Sequence, residues 1–288
     1  MSRAWRRFAR NRGAVVGAVI VLALLATAAL APSFTARDPL AADVDHGLTA
    51  LGAPLPASSA APLGTDPLGR DEWARIAAGA ASSLSIAGLA TLIALGLGLG
   101  VGLVAGYAGG AVDQLLMRAV DLMLALPFVL VAILLAAVLR SSALASAHAP
   151  VYLTLGALGW MPLARVIRGK ARGLMASEMI TAARTLGASP ARIIARHLLP
   201  NLAGLALSVA VFGLAQNLLA EAVLSYVGLG PPPPAASWGH MLYEGRAYYR
   251  IAPHLVAAPG LAILAAVAGF HLLGDGLRDA LDPRDASR

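Results

Sequence analysis

The chain has 288 residues, of which 58% are hydrophobic and only 13% charged, and its mean hydropathy is +0.73. Soluble domains carry about 25% charged residues, so the composition reads as an integral membrane protein. The net charge of +7 gives no case for a nucleic-acid partner, because 16 of the 22 Lys and Arg fall on segments that one side of a multi-pass topology collects. Cysteine is absent, which excludes disulfides and thiolate metal sites.

Six windows are free of Asp, Glu, Lys and Arg: 13–36, 76–112, 122–139, 141–164, 197–220 and 251–274. Each reaches the roughly 18–20 residues needed to cross a hydrocarbon core of about 30 Å. The expectation is an all-α protein with six transmembrane helices in a lipid bilayer. A seventh window, 222–243, contains Pro231 to Pro234 and reads as non-spanning.

Residues 1–12 form a basic arm with Trp5 and Phe8 placed for the membrane interface. The first span follows, ending at Pro32, and is long enough to be a retained anchor rather than a cleaved signal. Residues 32–75 form a polar excursion in which acidic residues outnumber basic ones, opposite to the basic segments. Its second half, LGTDPLGRDEWAR, packs Gly64, Asp66, Pro67, Gly69 and Asp71 into turns. A calcium loop of the EF-hand kind needs more acidic positions and a closing Glu.

The second span, expected to start near Ser82, carries Gly98, Gly102, Gly106 and Gly110. Glycines four apart make a packing ridge for a neighbouring membrane helix, and no GxGxxG can be traced. Arg118 and Asp121 stand at i, i+3 and are expected to pair at the start of the third span. The third span ends at Arg140, and a short turn leads to the fourth, with Trp160 and Pro162.

A basic loop, 165–200, comes next. Within it Thr181 to Pro200 reads TAARTLGASPARIIARHLLP. Gly187 offers a break, and Ser189 followed by Pro190 reads as an N-cap and first helical residue. Ile193, Ile194 and Leu198 fall on one arc of the second helix, with Arg192 and Arg196 opposite. A helix, a turn and a short amphipathic helix, stopped by Pro200, suit docking into a groove on a soluble partner. The fifth span runs from Asn201 to Ala220.

Residues 221–246 return to the opposite side as an extended lid or re-entrant element, with Glu221 at the membrane edge. Glu221 reads equally as a gate or substrate contact and as a capping carboxylate. A sixth span, from Ile251 to about Leu273, leads to a short tail.

Several chemistries find no support. Paired carboxylates and a nucleophile elbow do not appear, and the six histidines lack ligand spacing. His271, in an apolar helix, reads as a satisfied buried imidazole. Gly169-Lys170 lacks the first Gly and the Ser or Thr of a P-loop, so no ATP site is expected in this chain. The spans lack the mid-membrane Asp, Glu and Lys of ion-coupled carriers.

The Thr181–Pro200 segment resembles the cytoplasmic EAA loop of ABC importer permeases. Ala182, Ala183, Gly187, Leu199 and Pro200 match at the family spacing, whereas Thr181 replaces the Glu and His197 the Ile. Two further blocks resemble permeases for dipeptides, oligopeptides and nickel. One is Leu63, Gly64, Thr65, Asp66, Gly69, Arg70, Asp71 and Arg75, with Ala61 and Ala74 where His and Ser are expected. The other is Glu221, Leu224, Ser225, Gly228, Leu229, Gly230, Ser237, Trp238, Gly239, Met241 and Leu242. The end, LLGDGLRDALDPR, is also family-like.

The resemblance is to the C-type subunit, and it implies the type I importer permease fold with a cytoplasmic coupling loop. It implies a basic arm, first helix and periplasmic loop over 1–75, a permease domain over 76–278 and a tail over 279–288. It further implies a bacterial inner-membrane location with both termini cytoplasmic, and a heterodimer with a homologous permease subunit. Two ATP-binding subunits and an extracytoplasmic solute-binding protein complete the implied assembly. This chain then needs no cofactor, ATP being bound by its partners. Contact with the ATP-binding subunits is expected at Thr181, Ala182, Ala183, Gly187, Arg192, Arg196, Leu199 and Pro200, the segment moving as a rigid lever. Asp66, Arg70, Asp71, Glu221 and Trp238 are expected to gate the outer side or touch the binding protein. The competing reading is a secondary carrier or channel not driven by ATP.

Overall fold

The computed structural model describes residues 3–34, 38–142, 148–232 and 235–281. The expected roles of the Trp5 side chain and of Pro233, Pro234, Arg284 and Arg288 fall outside what is described. Among the described residues every regular element is helical: α1 (Arg3–Arg10), α2 (Arg12–Phe34), α3 (Glu72–Ala108), α4 (Gly110–Leu124), α5 (Phe128–Arg140), α6 (Ala149–Met175), α7 (Glu178–Thr185), α8 (Pro190–Ile193), a π-helical turn (Ile194–Leu198), α9 (Leu199–Tyr226), α10 (Trp238–Gly245) and α11 (His254–Leu281).

Five helical stretches are long and apolar enough to cross a membrane: Arg12–Ala31, Glu72–Ala108, Ala149–Met175, Pro190–Tyr226 and His254–Leu281. The sixth crossing is a broken one, α4 and α5 meeting at 91°. The expected third span is therefore two helices joined at 125–127. Pro127 has no N–H to donate and starts α5 from an extended backbone, so the ladder cannot run through.

The first span runs on to Phe34, two residues past Pro32. The second begins at Glu72, ten residues before Ser82, so a helix bridges the expected 75/76 boundary. Asp71 caps it, its carboxylate accepting the Ala74 N–H at 3.1 Å. The 165–200 segment is likewise helical to Met175, with the projecting part confined to α7 and α8.

Contacts fix which ends lie together. Asn11 donates to Asp279 at 3.2 Å, and a Cβ on Gly204, at the start of α9, would lie 3.2 Å from Leu281. The N-terminal arm, the C-terminal end of α11 and the α7–α8 segment thus share one end, here called the basic end. At the other, the loop end, His254 bonds the Thr65 carbonyl at 3.2 Å and Arg140 donates to the Gly230 carbonyl at 2.7 Å. Counting α4–α5 as one pass, the chain crosses six times.

The centre is the long antiparallel pair α3 and α6. A Cβ on Gly98 would meet Leu163 at 2.8 Å, one on Gly102 the Ala164 carbonyl at 2.7 Å, and one on Gly106 the Ala171 Cβ at 2.6 Å. Three of the four ridge glycines thus let α6 approach closer than any side chain on α3 would allow, the expected geometry where lipid offers no hydrophobic drive. Gly110 lies past the helix end and turns the chain with Gly109 at positive φ. Against this pair α9 packs on one side, α11 packs on α9, and α2 packs on α11 and on α3.

Candidate functional site

The α7–α8 segment is built as a knob with a buried root. Ile180, Ile193 and Leu198 are essentially inaccessible and pack with Ile167, Ala171 and Leu202 of α6 and α9. Thr181, Ala182, Arg192, Arg196 and Pro200 are exposed, as is Gly187; Ala183 is half-buried and Leu199 is 38% exposed. Gly187 has φ +79°, which turns the chain sharply between the helices and which an L side chain rarely adopts. The Ser189 hydroxyl accepts from the Arg192 N–H at 3.4 Å, the expected N-cap. The expected arcs are thus present.

Sequence reasoning passed over Leu186, which is 86% exposed at the tip. Its signal was an apolar residue immediately before a chain-reversing glycine on an otherwise polar face.

Pro200 does not stop the helix. The Leu199 N–H reaches back five residues to the Ile194 carbonyl, widening the turn. The wider turn spares the proline ring its usual clash with the carbonyl four residues back. The Asn201 side chain donates to the His197 carbonyl at 2.7 Å, and the helix continues to Tyr226.

A second missed feature ties α4 to α6 near the same end. Asp113, almost wholly buried, accepts both Nε and Nη2 of Arg168 at 2.6 Å and Nη1 of Arg172 at 3.0 Å. Asp121 pairs with Arg165, not with its near neighbour Arg118, because α4 lies against α6 and presents Asp121 to it.

At the loop end Asp66, Arg70, Asp71, Glu221 and Trp238 are all at most 7% exposed and hold elements together. One Asp66 oxygen accepts the N–H groups of Leu68 and Arg70 at 2.9 Å. The other accepts Arg70 Nε at 2.5 Å and Arg75 Nη1. The second ends of both arginines reach Glu244 on α10, at 3.1 and 2.6 Å. Glu244 was not singled out by sequence. Burial opposes its ionisation, but His240 and the Arg75 and Arg70 guanidinium groups outweigh that and hold its pKa down at about 2. Gly69, at φ +71°, closes the turn where a Cβ would strike the Asp43 carbonyl.

Glu221 is fully buried near the end of α9 and caps nothing. It accepts from Ser83 of α3 at 3.1 Å and from Ser225 at 2.7 Å. Ser83 accepts the Trp238 N–H at 3.2 Å, and the Trp238 indole donates to the Ile76 carbonyl at 3.0 Å. The expectation that spans carry no buried acid therefore needs amending: Glu221 is one, supported by hydroxyl donors instead of a cation. His271 bonds the Val267 carbonyl at 2.9 Å and meets Phe212 edge to face, a satisfied imidazole as expected.

Between α3, α6, α9 and the α4–α5 bend lies a cavity of about 560 Å³. Leu126, Phe128, Met161, Phe212 and Leu224 are among its apolar walls; Thr91, Gln216 and Asn217 are its polar side chains.

Comparison with known proteins accords with this geometry. Residues 98–285 match the family described as binding-protein-dependent transport system inner membrane component, and residues 1–54 match the N-terminal transmembrane domain of oligopeptide transport permease C. The chain is 35% identical over 278 residues to the oligopeptide transport system permease protein OppC of Bacillus subtilis, covering 96% of this chain and 88% of that protein. It is 38% identical to the glutathione transport system permease protein GsiD of Pectobacterium atrosepticum (97% and 90% covered). It is 35% identical to the dipeptide transport system permease protein DppC of Alkalihalophilus pseudofirmus (98% and 89%). In fold it is similar to a chain of the inward-facing MetNI methionine ABC transporter, at a TM-score of 0.60 and 16% identity, covering 72% of this chain and 96% of that one. The carrier or channel reading gains nothing from these likenesses. The chain belongs to the binding-protein-dependent transport system inner membrane component family.

Proposed function

We propose that this permease subunit imports peptides, forming the pathway with one homologous subunit and taking its power from two ATP-binding subunits seated on α7 and α8. The observation that carries the reading is the knob: a buried apolar root of Ile180, Ile193 and Leu198 under an exposed tip of Leu186, Arg192 and Arg196. A segment fixed so firmly below and left so bare above is shaped to pass force to a docked partner. Peptides are favoured as cargo because the relatives are named for oligopeptide, dipeptide and glutathione transport.

The basic end faces the cytoplasm by the positive-inside bias, which places both termini there in a bacterial inner membrane. The loop end then receives an extracytoplasmic solute-binding protein. The buried quintet Asp66, Arg70, Asp71, Glu221 and Trp238 holds the docking elements in place beneath exposed Leu51, Tyr249 and Ile251. Nucleotide is bound by the partner subunits, and this chain carries no cofactor of its own.

The test is to reconstitute the chain with its permease partner, ATP-binding subunits and binding protein in vesicles and follow ATP turnover. Di- and oligopeptides are expected to stimulate it, and nickel ions are not. Turnover indifferent to every peptide would overturn the cargo assignment. In the same preparation Leu186→Asp is expected to cut recovery of the ATP-binding subunits in a pull-down about tenfold, and undiminished recovery would refute the docking role.

A further inference from the structure

Thr91 lies nineteen residues from the start of α3, about 28 Å at 1.5 Å per residue, which is the middle of that helix. Gln216 lies ten residues, about 15 Å, before the end of α9, beside Asn217, which bonds Thr91. Both depths fall within the hydrocarbon core, where a polar side chain is unfavourable unless protein or water meets it. Asn217 is met: its amide donates to the Thr91 hydroxyl at 2.9 Å, and both residues are buried. Gln216 is exposed and bonds to none of the described residues, and it borders the cavity. The same cavity is bordered by the α4–α5 bend at 125–127, and non-helical backbone at membrane depth is tolerated only inside protein or along a water-filled space.

The cavity wall contains no charged side chain, no histidine and no thiol. Bare divalent cations need such ligands, whereas a carboxamide is the chemical match of a peptide bond. We infer that the cavity is a transient binding site for the backbone of a passing peptide. In it the Gln216 amide donates to one peptide carbonyl and accepts from one peptide N–H, while apolar walls accommodate the side chains. Because the recognised group is common to all peptides, the site is indifferent to cargo sequence, and one carboxamide holds it loosely enough to let go. This inference rests on the peptide-import reading.

The complete complex in vesicles, supplied with binding protein and with neutral, acidic or basic peptides of one length, separates the two. Gln216→Leu is expected to lower peptide uptake per ATP hydrolysed about tenfold for all three, the worth of one lost hydrogen bond. Gln216→Glu is expected to slow acidic peptides relative to basic ones. Uptake equal to the parent in both variants overturns the site and leaves peptide import standing; a parent complex that moves no peptide fails the import reading itself. Because the chain has no cysteine, Gln216→Cys offers a second readout through its only thiol. A membrane-impermeant maleimide is expected to label it, more slowly with peptide under turnover, and to leave Leu264→Cys on α11 unlabelled. If the Gln216→Cys thiol stays inert in every nucleotide state, lipid or the partner subunit fills the cavity, and the inference is overturned.

Discussion

At the residue scale two positions carry sharp expectations. Gly187 needs φ near +79°, and proline locks φ near −65°, so Gly187→Pro destroys the turn between α7 and α8. Cargo-stimulated ATP hydrolysis is expected to vanish while membrane insertion, which depends on the apolar spans, stays normal; normal stimulated hydrolysis would remove the coupling role. Glu244 makes the loop end acid-sensitive. Its pKa falls from the ordinary 4.5 to about 2 on folding, so its contribution is complete above pH 4.5 and is lost as pH drops through the window down to about 2. Glu244→Gln is expected to weaken protection of residues 38–71 against protease at pH 7 and to flatten its pH dependence. A variant with the parent's acid profile would show that other carboxylates govern that end.

At the scale of elements, the contacts between α4 and α6 are of unequal worth. Asp113 is buried and holds two guanidinium groups, so Asp113→Ala strands charge and is expected to cost about 2 kcal/mol, below the full 3–5 of a dry pair because Arg168 and Arg172 keep some water. Asp121 and Arg165 are each about half exposed, and Asp121→Ala is expected to cost well under 1 kcal/mol. Melting of the detergent-solubilised complex orders the two. Hydrophobic windows showed where the membrane lies but not where helices begin or break. Glu72 and Arg75 look too charged for a span, yet both are inside α3: Asp66 and Glu244 bind the buried Arg75 guanidinium, while burial pushes the Glu72 carboxyl up to about 8 so that it enters the protein without its charge. The bend at 125–127 is invisible to hydropathy, as both of its arms are apolar; Pro127 was the local sign. The knob was legible because caps, glycine and amphipathic arcs are written in adjacent residues, while Glu244, some 170 positions from its arginines, was not.

At the scale of the whole molecule, packing depends on small residues down the α3–α6 seam. Gly102→Leu would drive a side chain into the Ala164 carbonyl and is expected to separate the two helices and abolish assembly with the other subunits, measurable as lost co-purification. Gly100, which faces open space on the same helix, is expected to accept Leu with assembly intact. Equal behaviour of the two variants would mean that the seam is not what holds the fold.

The widened turn at Ile194–Leu198 also fixes the rotational phase of one 37-residue rod that ends in the docking tip on one side and in Gln216 and Glu221 on the other. A five-residue bond contains one residue more than a regular turn, and each residue advances an α-helix by about 100°. Removing Ala195 is therefore expected to keep both ends in step but to return the Pro200 ring to its clash unless Pro200 is also replaced by Ala, whereas removing Ala203 twists tip and cavity face apart by about 100° and leaves ATP burning uncoupled from uptake. Evolution can thus adjust gearing between engine and passage at this joint without touching a residue that meets either.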